Sequence, residues 1–145
     1  MPETPQNFQN HTRYHAPFHF VLAPLLLLNL LWTLYSLYHH PDWSHLHLLL
    51  IAIILFVVGF VARTSALKAQ DRVIRLEEKL RYQSVLTPEL ARRAEALTTG
   101  QLISLRFASD EELADLVQQT LDGKFATNKE IKQAIKNWHG DYLRV

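Results

Sequence analysis

From Phe18 to Tyr38 the chain runs for 21 residues, FHFVLAPLLLLNLLWTLYSLY, without one Asp, Glu, Lys or Arg. As a helix this stretch reaches about 31 Å, the thickness of a bilayer's hydrocarbon core. A second run, Leu46 to Ala62, is 17 residues long with His47 as its one clearly polar member, at the short end of the roughly 17 to 25 residues that span a membrane. Seven residues, His39 to His45, separate the runs and include Pro41. The pattern predicts two transmembrane helices in a tight antiparallel hairpin. One long buried helix of a soluble protein is incompatible with that proline and with the lack of a polar face. A cleaved signal peptide fits poorly too. The apolar run exceeds the usual h-region of about 7 to 15 residues, and Trp32 to Tyr38 offers no small-x-small cleavage site, so the first run reads as an uncleaved anchor.

Charge divides the chain as sharply as hydropathy. Of 15 Lys and Arg and 14 Asp and Glu, only Glu3, Arg13 and Asp42 fall within the first 62 residues. The net charge of +1 is therefore a cancellation inside residues 63 to 145, where 14 basic side chains face 12 acidic ones. That balance argues against a strongly basic nucleic-acid binder. The connecting loop carries no Lys or Arg, whereas residues 63 to 81 carry Arg63, Lys68, Arg72, Arg75, Lys79 and Arg81. By the positive-inside rule both termini belong in the cytoplasm, and the protein is a multi-pass component of the cytoplasmic (inner) membrane. Tyr35, Tyr38 and Trp43 then sit at the outer interface, with Tyr14, Phe18 and Phe20 at the inner one. Asn29, five residues after Pro24, is the conspicuous polar group at depth. Its amide needs a partner: a carbonyl freed near the proline, the second span, or another subunit. No ionisable residue lies mid-membrane, which argues against ion or proton transport by this chain alone.

The sequence thus predicts an all-α protein in four parts. Residues 1 to 17 form an N-terminal cytoplasmic segment and 18 to 62 the hairpin, with spans 18 to 38 and 46 to 62. Residues 63 to 85 form an amphipathic juxtamembrane helix and 86 to 145 a small cytoplasmic helical domain. In the juxtamembrane helix Ala66, Ala69, Val73, Leu76 and Leu80 recur at steps of three and four, with Ile74 widening the stripe. Such a face either docks the helices that follow or self-associates. Its basic residues also favour anionic headgroups, a pull that the interspersed acids weaken. Thr87-Pro88 opens a short helix to about Leu97. Thr98 with Gln101, Ser109 with Glu112, and Thr127 with Glu130 match the capping box. They predict helices over roughly 99 to 107, 110 to 122 and 128 to 139, with Gly123 and Gly140 as stops. The core-facing residues are Leu102, Leu105 and Phe107, then Leu113, Leu116, Val117 and Leu121, then Ile131, Ala134, Ile135 and Trp138, with Phe125 and Tyr142 as lids.

Eight histidines are the best lead to chemistry. His11, His15 and His19 fall on the inner side, His39, His40, His45 and His47 on the outer side, and His139 in the cytoplasmic domain. The outer four, with Asp42 nearby, suggest a metal or haem site, but no H-E-x-x-H occurs and interfacial histidines commonly serve as amphipathic anchors. Lys129, Lys132 and Lys136 line a final helix in a helix-turn-helix outline, opposed by Asp110, Glu111, Glu112 and Asp115 on the helix before it. A solvated face or a protein contact accounts for them better than DNA does. With no cysteine and no phosphate-cradling glycine loop, thiolate chemistry and nucleotide binding lose their usual means. No catalytic, cofactor-binding or metal-binding residue is assigned, no small-molecule substrate is identified, and no cofactor is expected.

Three stretches carry a resemblance: QNFQNHTRYH (Gln6 to His15), RFASDEEL (Arg106 to Leu113) and KEIKQAIKNW (Lys129 to Trp138). They resemble a family of small bacterial two-span membrane proteins known only as a domain of unknown function. The resemblance covers nearly the whole chain and implies a bacterial inner-membrane protein, without supplying an activity or site residues. The expected function is a non-enzymatic anchor, scaffold or accessory subunit in the lipid bilayer. It presents a helical interaction domain to a protein partner or to further copies of itself. The alternative is a haem- or metal-binding subunit using the outer-loop histidines.

Overall fold

A computed structural model describes residues 5–11 and 14–141. Glu3, Arg13 and the proposed lid Tyr142 lie outside the described residues. The chain is all-helical, with no β-strand among the described residues. The described residues divide into two compact units, one covering Tyr14–Lys68 and the other joining residues 5–11 to residues 69–141.

The first unit opens with a π-helical segment, Pro17–Leu22, that passes into α1, Ala23–His39. Pro24 explains the widened turn. Its ring lacks an N–H and crowds the preceding turn, and a π-type register relieves both constraints without ending the helix. Pro17–His39 forms one apolar helical run of 23 residues, and α2 runs over Trp43–Val85. Both helices are long and apolar enough to cross a membrane. Their apolar side chains stay largely uncovered, with Leu28 and Trp32 more than half exposed, unlike the core helices of a soluble domain. The connection is shorter than the seven residues expected, because Asp42 caps α2 early. Its side chain accepts the His45 N–H at 2.9 Å and its carbonyl accepts that of Leu46 at 3.0 Å. Among the described residues of this unit the buried positions are Thr33 on α1 and Ala52 and Gly59 on α2. A Cβ on Gly59 would stand 2.7 Å from Leu26 Cδ1, so the missing side chain is what admits the leucine. Asn29 does not turn inward. Thr33 does, and it satisfies its hydroxyl on the Asn29 and Leu30 carbonyls of its own helix.

In the second unit, the far part of α2 packs against α3 (Pro88–Arg93), a 3-10 turn (Ala94–Ala96), α4 (Thr99–Leu105), α5 (Asp110–Leu121) and α6 (Asn128–Ala134). The core holds Leu102, Leu105, Phe107, Leu113, Leu116, Val117, Ile131 and Ile135, with Leu121, Phe125, Ala134 and Trp138 partly buried around it. Those are the faces that helical periodicity selects. Of the two readings of the α2 stripe, docking against the following helices is not what the structure shows. Val73, Leu76 and Leu80 are 53%, 64% and 67% exposed, while Ile74, Glu78 and Tyr82, with Leu86 just past the end of α2, are buried. These four recur every fourth residue and lie along one flank of the helix. Tyr82 and Leu86 supply the bulk that fills the core, and the smaller stripe is left outside.

The caps divide three ways. Thr98 and Gln101 make the full reciprocal box. Thr127 accepts the Glu130 N–H, but Glu130 returns its carboxylate to the Ala126 N–H at 2.9 Å, one residue beyond the cap. Ser109 makes no capping bond. Glu112 is drawn away from it and accepts the N–H groups of Lys136 and Asn137 at 3.1 and 3.0 Å. That diversion shortens the last helix, expected to reach 139. Ile135 leaves it in extended conformation, Ser109 N–H bonds the Asn137 carbonyl, and His139 N–H bonds that of Phe107. These bonds replace helical ones, so ending α6 early leaves the backbone satisfied.

Candidate functional site

The most site-like feature of the second unit is a cleft of about 460 Å³ lined by Ile74, Glu77, Glu78, Arg81, Arg106, His139, Gly140 and Asp141. It arises because α2 places Glu78 where an apolar residue would continue the series Ile74, Tyr82, Leu86. Glu78 is only 7% exposed. Burial pushes its carboxyl up to about 7, against the opposing pull of the Arg81 and Arg106 guanidiniums. Desolvation outweighs two nearby cations because each of them has another anion to serve. Arg81 binds Asp110 through Nε and Nη2 at 2.8 and 2.6 Å. It also donates to the carbonyls of Arg106 and Ala108 at 3.3 and 2.7 Å, closing the C-terminal end of α4, where a cation is favoured. Arg106, itself buried, pairs with Asp141 at 3.1 Å and lies over the Phe107 ring at 4.6 Å. Burial likewise pushes the Tyr82 phenol up, and Glu78 adds to the shift.

The N-terminal residues belong to the same unit. Gln6 donates to the Asp141 carbonyl and accepts the Asp141 N–H, both at 3.0 Å, copying with a side chain what a β-ladder does with backbone. His11 packs against Phe107 at 5.6 Å and Trp138 at 5.5 Å, with Lys132 Nζ 3.2 Å from its Nε2. Two of the three motif stretches, one at each end of the chain, thus meet around a third residue, Phe107, from the RFASDEEL run.

The histidines are dispersed. His19 Nδ1 lies 3.0 Å from the His15 carbonyl, so this i, i+4 pair is joined through backbone. His39 packs on Tyr35 and Tyr38. His40 stacks on His45, which bonds Asp42 through Nδ1 at 2.8 Å, and the His45 backbone N–H, followed by that side-chain contact, lowers the Asp42 carboxyl. Among the described residues no group of three or more His, Cys, Asp or Glu could hold a metal ion. Of the three lysines, Lys132 is taken up by His11 and lies 5.6 Å from the Phe107 ring centre, and Lys136 falls beyond the end of α6. The basic line on a final helix is therefore broken. Sequence reasoning missed Glu78, Arg106, Asp141 and Gln6. Glu78 left a signal, an acid interrupting an every-fourth-residue apolar series, whereas the Gln6 to Asp141 pairing left none.

Chemically, the cleft offers the Glu78 carboxyl, raised to about 7, beside two guanidiniums already engaged with Asp110 and Asp141. Such a set joins helices and responds to pH. A family profile described as a family of unknown function (DUF6526) matches residues 1–145. No curated protein and no solved structure matches significantly.

Proposed function

We propose, for a chain that belongs to the DUF6526 family of unknown function, the role of a non-enzymatic membrane anchor or accessory subunit. Its two apolar helices form an antiparallel hairpin in a bacterial inner membrane, and its helical unit is presented in the cytoplasm to a protein partner or to further copies of the chain. The observation that carries this reading is the contrast within one chain. Two long apolar helices keep most of their apolar side chains uncovered, in the same chain as a unit with a buried core. Two contacts support the hairpin: Leu26 against Gly59, and Arg63 over the Phe18 ring at 5.5 Å. The bonds between Gln6 and Asp141 support an even number of crossings, since the segment before the first span and the unit after the second must share one side. The Lys and Arg excess after residue 62 favours the cytoplasm as that side. Asn29 favours association, because its exposed amide lies within the first span and an amide in hydrocarbon gains from a neighbouring helix.

Carbonate extraction followed by purification in mild detergent tests the role. The anchor stays with the membrane pellet and elutes as an assembly larger than one chain. Release into the carbonate supernatant, or a strictly monomeric particle that retains an enzymatic activity, contradicts it.

A further inference from the structure

The uncovered stripe on α2 has a geometry of its own. Ala69, Val73, Leu76 and Leu80 are exposed, although the opposite flank of the same helix is buried at Ile74, Glu78 and Tyr82, the last of them in the core. The helices that follow therefore do not cover the stripe. In heptad terms Val73 and Leu80 occupy a positions and Ala69 and Leu76 occupy d positions. A β-branched residue at a beside leucine at d is a two-stranded pattern.

The flanking charges select the occupant. Arg72 is at g and Glu77 is at the e position of the next heptad, and both are exposed. In a parallel pair of identical helices, g of one chain faces the following e of the other, so Arg72 meets Glu77 twice. In an antiparallel pair g faces g, and Arg72 would meet Arg72 or Lys79. Lys79 finds neutral Ser84 in the parallel pair. The charges thus favour a second copy running the same way, as two copies inserted alike in one bilayer can.

We infer that the stripe Ala69 to Leu80 of α2 is a parallel homodimer seam, set by Arg72 and Glu77 pairing between copies. The parallel sense rests on the membrane-anchor reading. Two heptads are too few for a stable coiled coil in solution, and confinement of both copies to one bilayer supplies the effective concentration.

Because the chain has no cysteine, single cysteines report the seam directly. In membranes carrying the full-length chain, Leu76→Cys and Leu80→Cys give a disulfide-linked species of twice the chain mass on mild oxidation. Arg75→Cys and Lys68→Cys, on the outer flank, give at least fivefold less. Adding Arg72→Glu to Leu76→Cys reduces the linked fraction several-fold, and adding Glu77→Arg as well restores it. All these positions lie outside the core, so loss of fold is not the expected cause of any change. Equal linkage at every position, no linkage at Leu76 and Leu80, failure of the charge swap to restore it, or adducts of another mass overturns the seam. Carbonate extraction of the same membranes keeps the two ideas separate. A retained chain without linkage removes the dimer and leaves the anchor, whereas a released chain removes the anchor.

Discussion

At the scale of single residues, the placement of Glu78 makes stability depend on pH in an unusual direction. Its carboxyl is raised from 4.5 to about 7 in the fold, so between those values the native state holds a proton that the unfolded chain has lost. Its contribution is therefore fully present below about pH 4.5 and is lost as pH rises through 7. The change amounts to roughly 3 kcal/mol at most. In thermal melts of the full chain in detergent, the difference between wild type and Glu78→Gln should widen from pH 5 to pH 8 in favour of the variant. A difference independent of pH would show that Glu78 is not buried in this way. Arg81 gives a complementary prediction. Removing it leaves Asp110 and two carbonyls of the α4 end without their donor. Arg81→Ala should cost roughly 2 kcal/mol in denaturant unfolding, with Arg81→Lys recovering only part, because a single ammonium cannot serve three acceptors in that geometry. A loss below 0.5 kcal/mol on the same ~1 kcal/mol scale per hydrogen bond would mean the bonds are replaced by water.

At the scale of elements, the competition between helix and tertiary bonds is settled at the end of α6. Glu112 holds the Lys136 and Asn137 amides, and the Phe107 to Ser109 backbone holds the chain beyond them. Glu112→Ala should release this segment. The Lys136 and Asn137 amides would exchange at least tenfold faster, an effect of about 1.4 kcal/mol, and Trp138 fluorescence would shift to the red. Unchanged protection would assign the helix end to local propensity instead. The same element marks where sequence is legible. Thr87, Thr98 and Thr127 cap as their spacing requires, because a cap is decided within four residues. The core faces of α4 and α5 were readable for the same local reason. Ser109 matched the pattern and did not cap, because its glutamate was claimed by a partner 24 residues away. The choice of face on α2 was likewise decided by bulk and by Arg81 reaching Asp110, neither of which periodicity records.

At the scale of the whole molecule, composition alone separated a nearly uncharged stretch from a charged one, and the two apolar helices follow from it. The return of residues 5–11 to the helical unit was not legible, since the pairing of Gln6 with Asp141 spans 135 positions. It nevertheless bears on topology, because segments that touch share one side of any membrane the two apolar helices cross. His11→Ala and Trp138→Ala should each weaken the unit, with the double variant less than additive, because the rings share one contact. Additive losses would separate the N-terminal segment from the core. The central claim is that both apolar helices cross one membrane and return the chain to the cytoplasm. Its most direct measurement uses the cysteine-free chain with Ser44→Cys or Lys124→Cys, both at exposed positions, and an impermeant thiol reagent added to intact cells. Labelling of Ser44→Cys in intact cells, with Lys124→Cys labelled only after lysis, is the predicted result; labelling of Lys124→Cys in intact cells would contradict it.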